Sequence, residues 1–114
     1  MSKTKYVALY NNSEIPYARG ARGEYIYIFE DTLTEKAIVE EIGLFKLGLQ
    51  VDVRLLADFG LKRGDTLEVY ITNSTTTTLM LALKVAHVCH VLGIKLVYNY
   101  YDKEKDRLTE QIMY

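Results

Sequence analysis

The amino-acid sequence predicts a single small α/β domain with a mixed, partly parallel sheet and flanking helices. Residues 66–72 alternate between apolar and polar side chains, as a half-buried strand does. Residues 76–92 form a long apolar run followed by Gly93, in the position where helices commonly end. Residues 94–101 again have the composition of a strand. A strand, a helix and a second strand in this order predict a parallel pair with a right-handed connection.

The first half of the chain predicts two more strands and a helix. Lys5–Tyr10 is short, β-branched and aromatic, and residues 11–23 contain the single proline and two glycines of a loop. Glu24–Glu30 alternates strongly, so we expect a second strand, antiparallel to the first. Thr32 begins a capping-box spacing, and the apolar positions after it predict a helix over residues 33–42.

The middle and the end of the chain complete the predicted sheet. Leu44–Leu56 has a weak pattern in which Gln50–Leu55 resembles a strand, and residues 59–65 predict a tight turn. Residues 102–106 form a charged turn, after which Leu108–Met113 is expected to return as an antiparallel edge strand. Together these elements predict one Rossmann-like domain covering the whole chain.

Composition excludes several classes of protein. The 114 residues carry a formal net charge of −1, which argues against coating of duplex DNA, because that affinity depends on clustered cations. Cys89 is the single cysteine, so an intrachain disulfide is excluded. The apolar run near residue 85 is interrupted by charged and imidazole side chains and is too short to span a membrane. We therefore expect a cytoplasmic protein without membrane contact, metal or cofactor.

The loop Asn73–Thr78 is the first candidate ligand site. It joins the end of a predicted strand to the start of a predicted helix, where free backbone amides and the helix dipole favour an anion. Five consecutive hydroxyl residues add further hydrogen-bond donors. The alternative is a simple N-cap, which needs one hydroxyl only. The loop lacks the glycines and lysine of a nucleotide-triphosphate loop. The predicted ligand-binding residues here are Asn73, Ser74, Thr75, Thr76 and Thr77.

The helix that follows this loop is apolar on nearly all sides, which predicts a homodimer that covers part of it. Lys84, His87 and His90 form a narrow polar stripe on this helix. Two histidines without a third ligand make a poor metal site. The stripe is either a source of acid–base groups, with Lys84 and His87 as candidates, or a solvated or interfacial surface.

A second candidate site lies in the predicted loop after the first strand. Arg19 and Arg22 alternate with glycines there, and guanidinium groups bind phosphate with two parallel hydrogen bonds. Asn11, which directly follows the first strand, joins them as a ligand-binding candidate. The alternative is a solvated loop. If the ends of these strands share one edge, the basic loop and the hydroxyl-rich loop would surround the same anion.

The run from Leu67 to Gln111 resembles the small CRISPR-associated Rossmann-like proteins related to CARF domains, including the short ring nucleases. The shared order is a strand, a Thr/Ser loop, a helix, the sequence LGI, a strand and a charged hairpin beginning with YD. The N-terminal LYNNSEIP and GEYIYIFED are similar to small viral ring nucleases, but the glycine–histidine helix start of that group is missing.

This resemblance implies a homodimer that binds a cyclic oligoadenylate across its two-fold axis, with cleavage of the ring as a further activity. Such a metal-independent phosphodiesterase uses a ribose 2′-hydroxyl to attack the adjacent phosphorus, so positioning and charge stabilisation carry the reaction. By this comparison the hydroxyls of Ser74 and Thr75–Thr77 would orient the phosphates, and Arg19 or Arg22 would offset their charge. His87 or Lys84 would protonate the leaving 5′-oxygen.

A second resemblance supports a different function. Asp58–Val69 is similar to the signature of AbrB-type swapped-hairpin DNA-binding proteins, although the helix and strand that follow do not fit such a domain. The alternative to a ring nuclease is therefore a non-enzymatic α/β module, either a regulator associated with nucleic acid or an interaction protein.

Overall fold

The computed structural model describes residues 2–10, 18, 26–29, 43–72, 76–102, 104–105 and 107–113. The strands are β1 (Thr4–Tyr10), β2 (Tyr27–Phe29), β3 (Thr66–Ile71), β4 (Lys95–Asp102) and β5 (Arg107–Met113). The helices are α1 (Leu44–Val53), which continues into a π-helical turn (Arg54–Asp58), and α2 (Thr76–Leu92). The helix predicted over residues 33–42 and nearly all of the loop predicted over residues 11–23 lie outside the described residues.

The strands form one five-stranded sheet in the order β2-β1-β3-β4-β5. The first four are parallel to one another, and β5 pairs antiparallel with β4. This confirms the predicted α/β fold with a mixed, partly parallel sheet. It also confirms the parallel pairing of β3 with β4 and the antiparallel edge strand at the end of the chain.

The prediction that β2 is antiparallel to β1 is wrong. The two strands are parallel, with Ala8 opposite Tyr27 and Tyr10 opposite Phe29. Residues 11–26 are long enough for a crossover, which needs about a dozen residues, so no hairpin is required. Alternation within a strand reports which face is buried and carries no information about its direction.

The predicted strand at Gln50–Leu55 is also wrong, because this segment is helical. Leu47, Val51 and Leu55 are fully buried, and their spacing of four residues places them on one face of a helix. Val53, which a strand would have buried together with Val51, is exposed. The alternation of polar and apolar residues from Gln50 to Leu55 is therefore typical of a strand, although the segment is helical.

Both helices pack on the same face of the sheet. The buried side chains of this layer come from alternate strand positions and from the inner faces of α1 and α2, and they form one core cluster. Tyr98 joins β4 to α2, since its hydroxyl donates a buried hydrogen bond to the Ala82 carbonyl at 2.5 Å. On the other face, the Asn99 side-chain amide donates to Glu68 Oε1 at 3.1 Å.

The end of α2 confirms the predicted glycine stop. The Ile94 amide donates to the Cys89 carbonyl at 2.9 Å and the Gly93 amide to the His90 carbonyl at 3.3 Å, which is the Schellman pattern. Gly93 has φ 74°, and a Cβ there would lie 2.6 Å from the Arg63 guanidinium. The positive φ of this turn therefore favours glycine, and any larger residue would also have to displace the Arg63 side chain.

Arg54 fastens the π-helical turn to the outer strand. Its Nε and Nη2 donate to the Tyr27 carbonyl at 2.9 and 2.6 Å, and its guanidinium lies over the rings of Tyr27 and Phe59. The Ile26 carbonyl accepts from the Ala8 amide, so the next carbonyl, that of Tyr27, points away from β1. Arg54 thus lies on the side of β2 that faces away from β1.

Asp65 connects the starting ends of three strands. Its Oδ1 accepts from the Lys3 amide and its Oδ2 from the Lys62 amide, both at 2.9 Å. Its own carbonyl accepts from the Lys95 amide at 2.8 Å. The side chain has no exposed surface, although only a thin layer of the chain covers it.

The hydrogen bond from the Lys3 amide lowers the pKa of the Asp65 carboxyl below its usual value of 3.8. Partial burial opposes this effect, while the Lys62 amide and the two lysine charges reinforce it. Because the pKa of the folded state is lower than that of the unfolded chain, the carboxylate stabilises the fold above the unfolded pKa. This contribution is lost as the pH falls through the folded pKa, below about pH 4.

We predict that Asp65→Asn lowers the melting temperature by several degrees at neutral pH. In the variant, an NH₂ group, which is a hydrogen-bond donor, takes the place of one ionised oxygen that accepts from a backbone N–H. Thermal unfolding followed by circular dichroism from neutral pH to below pH 4 measures this. The difference between the two proteins should shrink as the wild-type carboxyl becomes protonated.

Asp58→Asn is the matched control. Asp58 is bonded to Arg54 at 3.0 Å but is largely exposed, so its loss should change stability by less than about 1 kcal/mol. Equal destabilisation by both substitutions would contradict the conclusion that the Asp65 carboxylate stabilises the fold through its hydrogen bonds to backbone amides.

Candidate functional site

The candidate site is the sheet edge where β1 and β3 end. These strands are neighbours, yet the chain continues from β1 to β2 on one side and from β3 to β4 on the other. In open α/β sheets, ligands bind beyond the carboxyl ends of the strands at such a reversal of strand order. The register of β1 with β3 brings Ala8 level with Tyr70, so Tyr10 and Thr72 end side by side.

The N-terminus of α2 lies at the same edge. Its first turn contains Thr76, Thr77 and Thr78 and no acidic side chain. Thr76 is exposed, Thr77 half-buried and Thr78 buried. The free amides of a first turn carry partial positive charge, and the exposed hydroxyl groups add donors without adding negative charge. This end of the helix is therefore suited to an anion.

Tyr10 places a buried hydroxyl at this edge. The residue is 4% exposed, and its hydroxyl has no hydrogen-bond partner among the described residues. Burial raises the pKa of the Tyr10 phenol. The neighbouring Thr78 hydroxyl partly offsets that rise, although the pair does not reach full hydrogen-bond geometry. An unpaired buried hydroxyl is costly, so this group is suited to contact with a polar atom from outside.

The loops that carry most of the predicted ligand-binding residues begin at these adjacent strand ends. Asn11 follows Tyr10 directly, and Asn73 follows Thr72. The predicted residues Asn11, Arg19, Arg22, Asn73, Ser74 and Thr75 all lie outside the described residues, whereas Thr76 and Thr77 lie in the first turn of α2. The topology thus places the starting points of both loops at one edge.

Lys84 and His87 lie away from this edge within one subunit. The helix is continuous from Thr76 to Leu92. With a rise of about 1.5 Å per residue, Lys84 is roughly 12 Å and His87 roughly 16 Å along the axis from Thr76. The two residues belong to the contact between α1 and α2, where both line a groove of about 190 Å³. One subunit therefore does not bring them to the hydroxyl-rich loop.

Lys84 has a packing role in this contact. Gly48 of α1 faces it so closely that a Cβ at position 48 would lie 2.8 Å from the Lys84 Cε. The absence of a side chain at Gly48 lets the aliphatic part of Lys84 lie across α1, as long cationic side chains often do. This position makes Lys84 part of the helix packing.

Sequence reasoning missed Tyr10 as a site residue and did not separate Thr78 from the other threonines of the loop. Thr78 was included in the hydroxyl-rich loop, but its burial separates it from the exposed Thr76. Tyr10 had the pattern of an ordinary strand residue. The signal that identifies it is its position as the last residue of a strand bordering the reversal of strand order, which requires the topology.

Other kinds of site find no support in the described part of the chain. No group of three metal-ligating side chains occurs there. Burial raises the pKa of the Cys89 thiol to about 12, so this sulfur is not a nucleophile at neutral pH. Of the helices described, none has the length and apolar character needed to cross a membrane.

Comparisons of the chain with protein-family models, with curated proteins and with solved structures found no match. The geometry of the sheet edge is therefore the basis for the functional argument.

We predict that Tyr10→Phe leaves stability unchanged or raises it by up to about 1 kcal/mol, because it removes a buried hydroxyl without a partner. Tyr98→Phe is the matched control, since it removes the bond to the Ala82 carbonyl and should lower stability by about 1 kcal/mol. Urea unfolding of both variants measures the difference. A loss for Tyr10→Phe as large as that for Tyr98→Phe would mean that the Tyr10 hydroxyl is already paired.

Proposed function

We propose that the protein binds a phosphate-bearing ligand, a cyclic oligoadenylate, at the edge where β1 and β3 end, and that it does so as a homodimer. The observation that carries the proposal is the adjacency of these two strand ends at the reversal of strand order, with α2 beginning at the same edge. Such an edge combines a cleft with the positive end of a helix.

The residues at this edge have distinct roles in the proposal. The amides of the first turn of α2 and the Thr76 and Thr77 hydroxyls face a phosphate, with Asn73, Ser74 and Thr75 completing the loop before them. From the predicted loop after β1, Arg19 and Arg22 supply the cationic side chains that the first turn of α2 does not have. Asn11 supplies a side-chain amide. The choice of a cyclic oligoadenylate as the ligand rests on the resemblance to small CARF-related proteins.

Cleavage of the ring is the finer part of the proposal. The 2′-oxygen forms a bond to the adjacent phosphorus, the bond from phosphorus to the 5′-oxygen breaks, and the 2′-proton leaves as the 5′-oxygen gains one. The product is a linear strand ending in a 2′,3′-cyclic phosphate. Ser74 and Thr75 would serve by aligning the phosphate, since correct alignment alone accounts for much of such a rate. Lys84 and His87, the candidates for protonating the 5′-oxygen, start roughly 12 and 16 Å along α2 from Thr76, so alignment and charge would carry more of the reaction than either of them.

The alternative function is a non-enzymatic regulatory or nucleic-acid-associated module. The AbrB-like segment Asp58–Val69 is the observation that suggested it. That segment comprises the end of the π-helical turn, a turn and part of β3, and β3 is a central strand between two parallel neighbours. A swapped hairpin would place it in antiparallel pairs, so the ligand-binding proposal fits this segment better.

We predict that the protein binds cyclic tetra- or hexa-adenylate and that Ser74→Ala combined with Thr75→Ala lowers the affinity at least about 100-fold, because each lost phosphate contact removes about 1.5–3 kcal/mol. Isothermal titration calorimetry measures this. Thr4→Ala, an exposed hydroxyl loss at the opposite edge of the sheet, should leave affinity unchanged. Absence of binding to either ring overturns the proposal, and a steeply salt-dependent shift of duplex DNA would support the alternative.

Chromatography of the same mixtures separates binding from cleavage. If the ring is cleaved, a linear product with a 2′,3′-cyclic phosphate should accumulate without added metal. His87→Ala should leave the affinity for the ring within about two-fold, since roughly 16 Å of helix separates this residue from Thr76 within one subunit. A large loss of affinity would show that His87 contacts the ring.

A further inference from the structure

The outer surface of the helix layer carries a set of exposed large apolar side chains. We name it the two-helix face. Leu49 and Val53 of α1, with Leu56 of the π-helical turn, lie at helical spacing on one side, and Leu79, Leu83 and Val91 of α2 lie on the other. Their exposed fractions run from 43% for Leu56 to 65% for Leu83.

These side chains form one continuous surface. Leu49 and Val91 line the same groove between α1 and α2, together with His87. Leu83 and His87 line a second groove of about 620 Å³ that runs along the outside of α2 toward β4. The Lys84 side chain lies across Gly48 in this groove and so bridges α2 and α1. The two helices therefore present a single platform.

The size of the two-helix face is suited to an interface. Six side chains with these exposures leave on the order of 500 Å² of apolar surface open, near the top of the range of about 300–600 Å² for the largest patch on a monomer. A standard interface buries about 800 Å² on each partner. The apolar side chains alone would supply more than half of that area, and the rest would come from their polar neighbours.

The charges around the face favour a second copy of the same chain. Lys46 and Lys84 lie on or beside it together with Asp52, so both signs are present. A two-fold interface places the same surface against itself, so a rim that carries both signs can pair with its own copy, whereas a rim of one sign would repel it. With a net charge of −1, two copies repel each other little. Because neither sign dominates, this face offers no net electrostatic attraction to a strongly acidic or strongly basic partner.

We infer that a second copy packs on the two-helix face and forms a four-helix layer between two sheets. This inference rests on the homodimer of the proposed function and deepens it by assigning the contact surface. It places His87 in the interface between subunits and leaves the edge where β1 and β3 end outside the buried surface. It also gives Leu49, Val53 and Leu56 a role in assembly.

Sedimentation velocity over a wide range of protein concentration tests this inference. Leu83→Lys and Leu56→Lys should each raise the dimer dissociation constant at least about 100-fold, because a two-fold contact would bury two unpaired ammonium groups. Tyr6→Lys is the control: Tyr6 is as exposed as Leu56, at 43%, and lies on β1 opposite Glu68, outside the face. It should leave the dimer intact, and thermal unfolding should show all variants folded.

Each outcome decides between the assignments. A wild-type dimer that both face variants leave intact overturns the two-helix face and keeps the homodimer. A wild type that remains monomeric at every concentration overturns both. If that monomer binds anionic lipid vesicles and Leu83→Lys abolishes the binding, the face is a membrane-contact surface instead. Titration of the wild-type protein with cyclic oligoadenylate reports separately on the ligand site.

Discussion

The arrangement of the sheet depends on the carboxylate of Asp65. It accepts hydrogen bonds from the backbone amides of Lys3 and Lys62, while its carbonyl accepts from Lys95, so one residue ties together the starts of β1, β3 and β4. Parallel strands have no hairpin to set their register, and a slip of one residue would turn each side chain to the opposite face. By fixing the starts of the strands, Asp65 also decides which residues meet at their ends, where the candidate ligand site lies.

Local patterns in the sequence were sufficient for the second half of the fold. The alternation of β3, the apolar run of α2 and the glycine that ends it act over a few residues, and the structure confirms all three. The direction of β2 and the helical nature of α1 depended on distant contacts. The alternation from Gln50 to Leu55 resembles a strand until Leu47, Val51 and Leu55 are seen to share one buried face.

The candidate site was predictable only in part, for the same reason. The hydroxyl-rich loop before α2 could be recognised from composition, and α2 begins at Thr76 as predicted. That this loop begins beside the end of the first strand could not be predicted from composition. It follows from the parallel pairing of β1 with both β2 and β3, which creates the reversal of strand order. The spacing of Lys84 and His87 suggested chemistry near the loop, but helical rise separates them from it within one subunit.

The guanidinium of Arg54 has a consequence for how this protein associates with others. An edge strand offers unpaired carbonyls to any extended chain, and such edges are where sheets join into aggregates. On one side of this sheet the edge strand β2 spans only Tyr27–Phe29, and Arg54 already holds the outward carbonyl of Tyr27. An incoming strand would have to displace two charge-assisted hydrogen bonds to pair there. The edge at β2 is thereby guarded against growth of the sheet by strand addition.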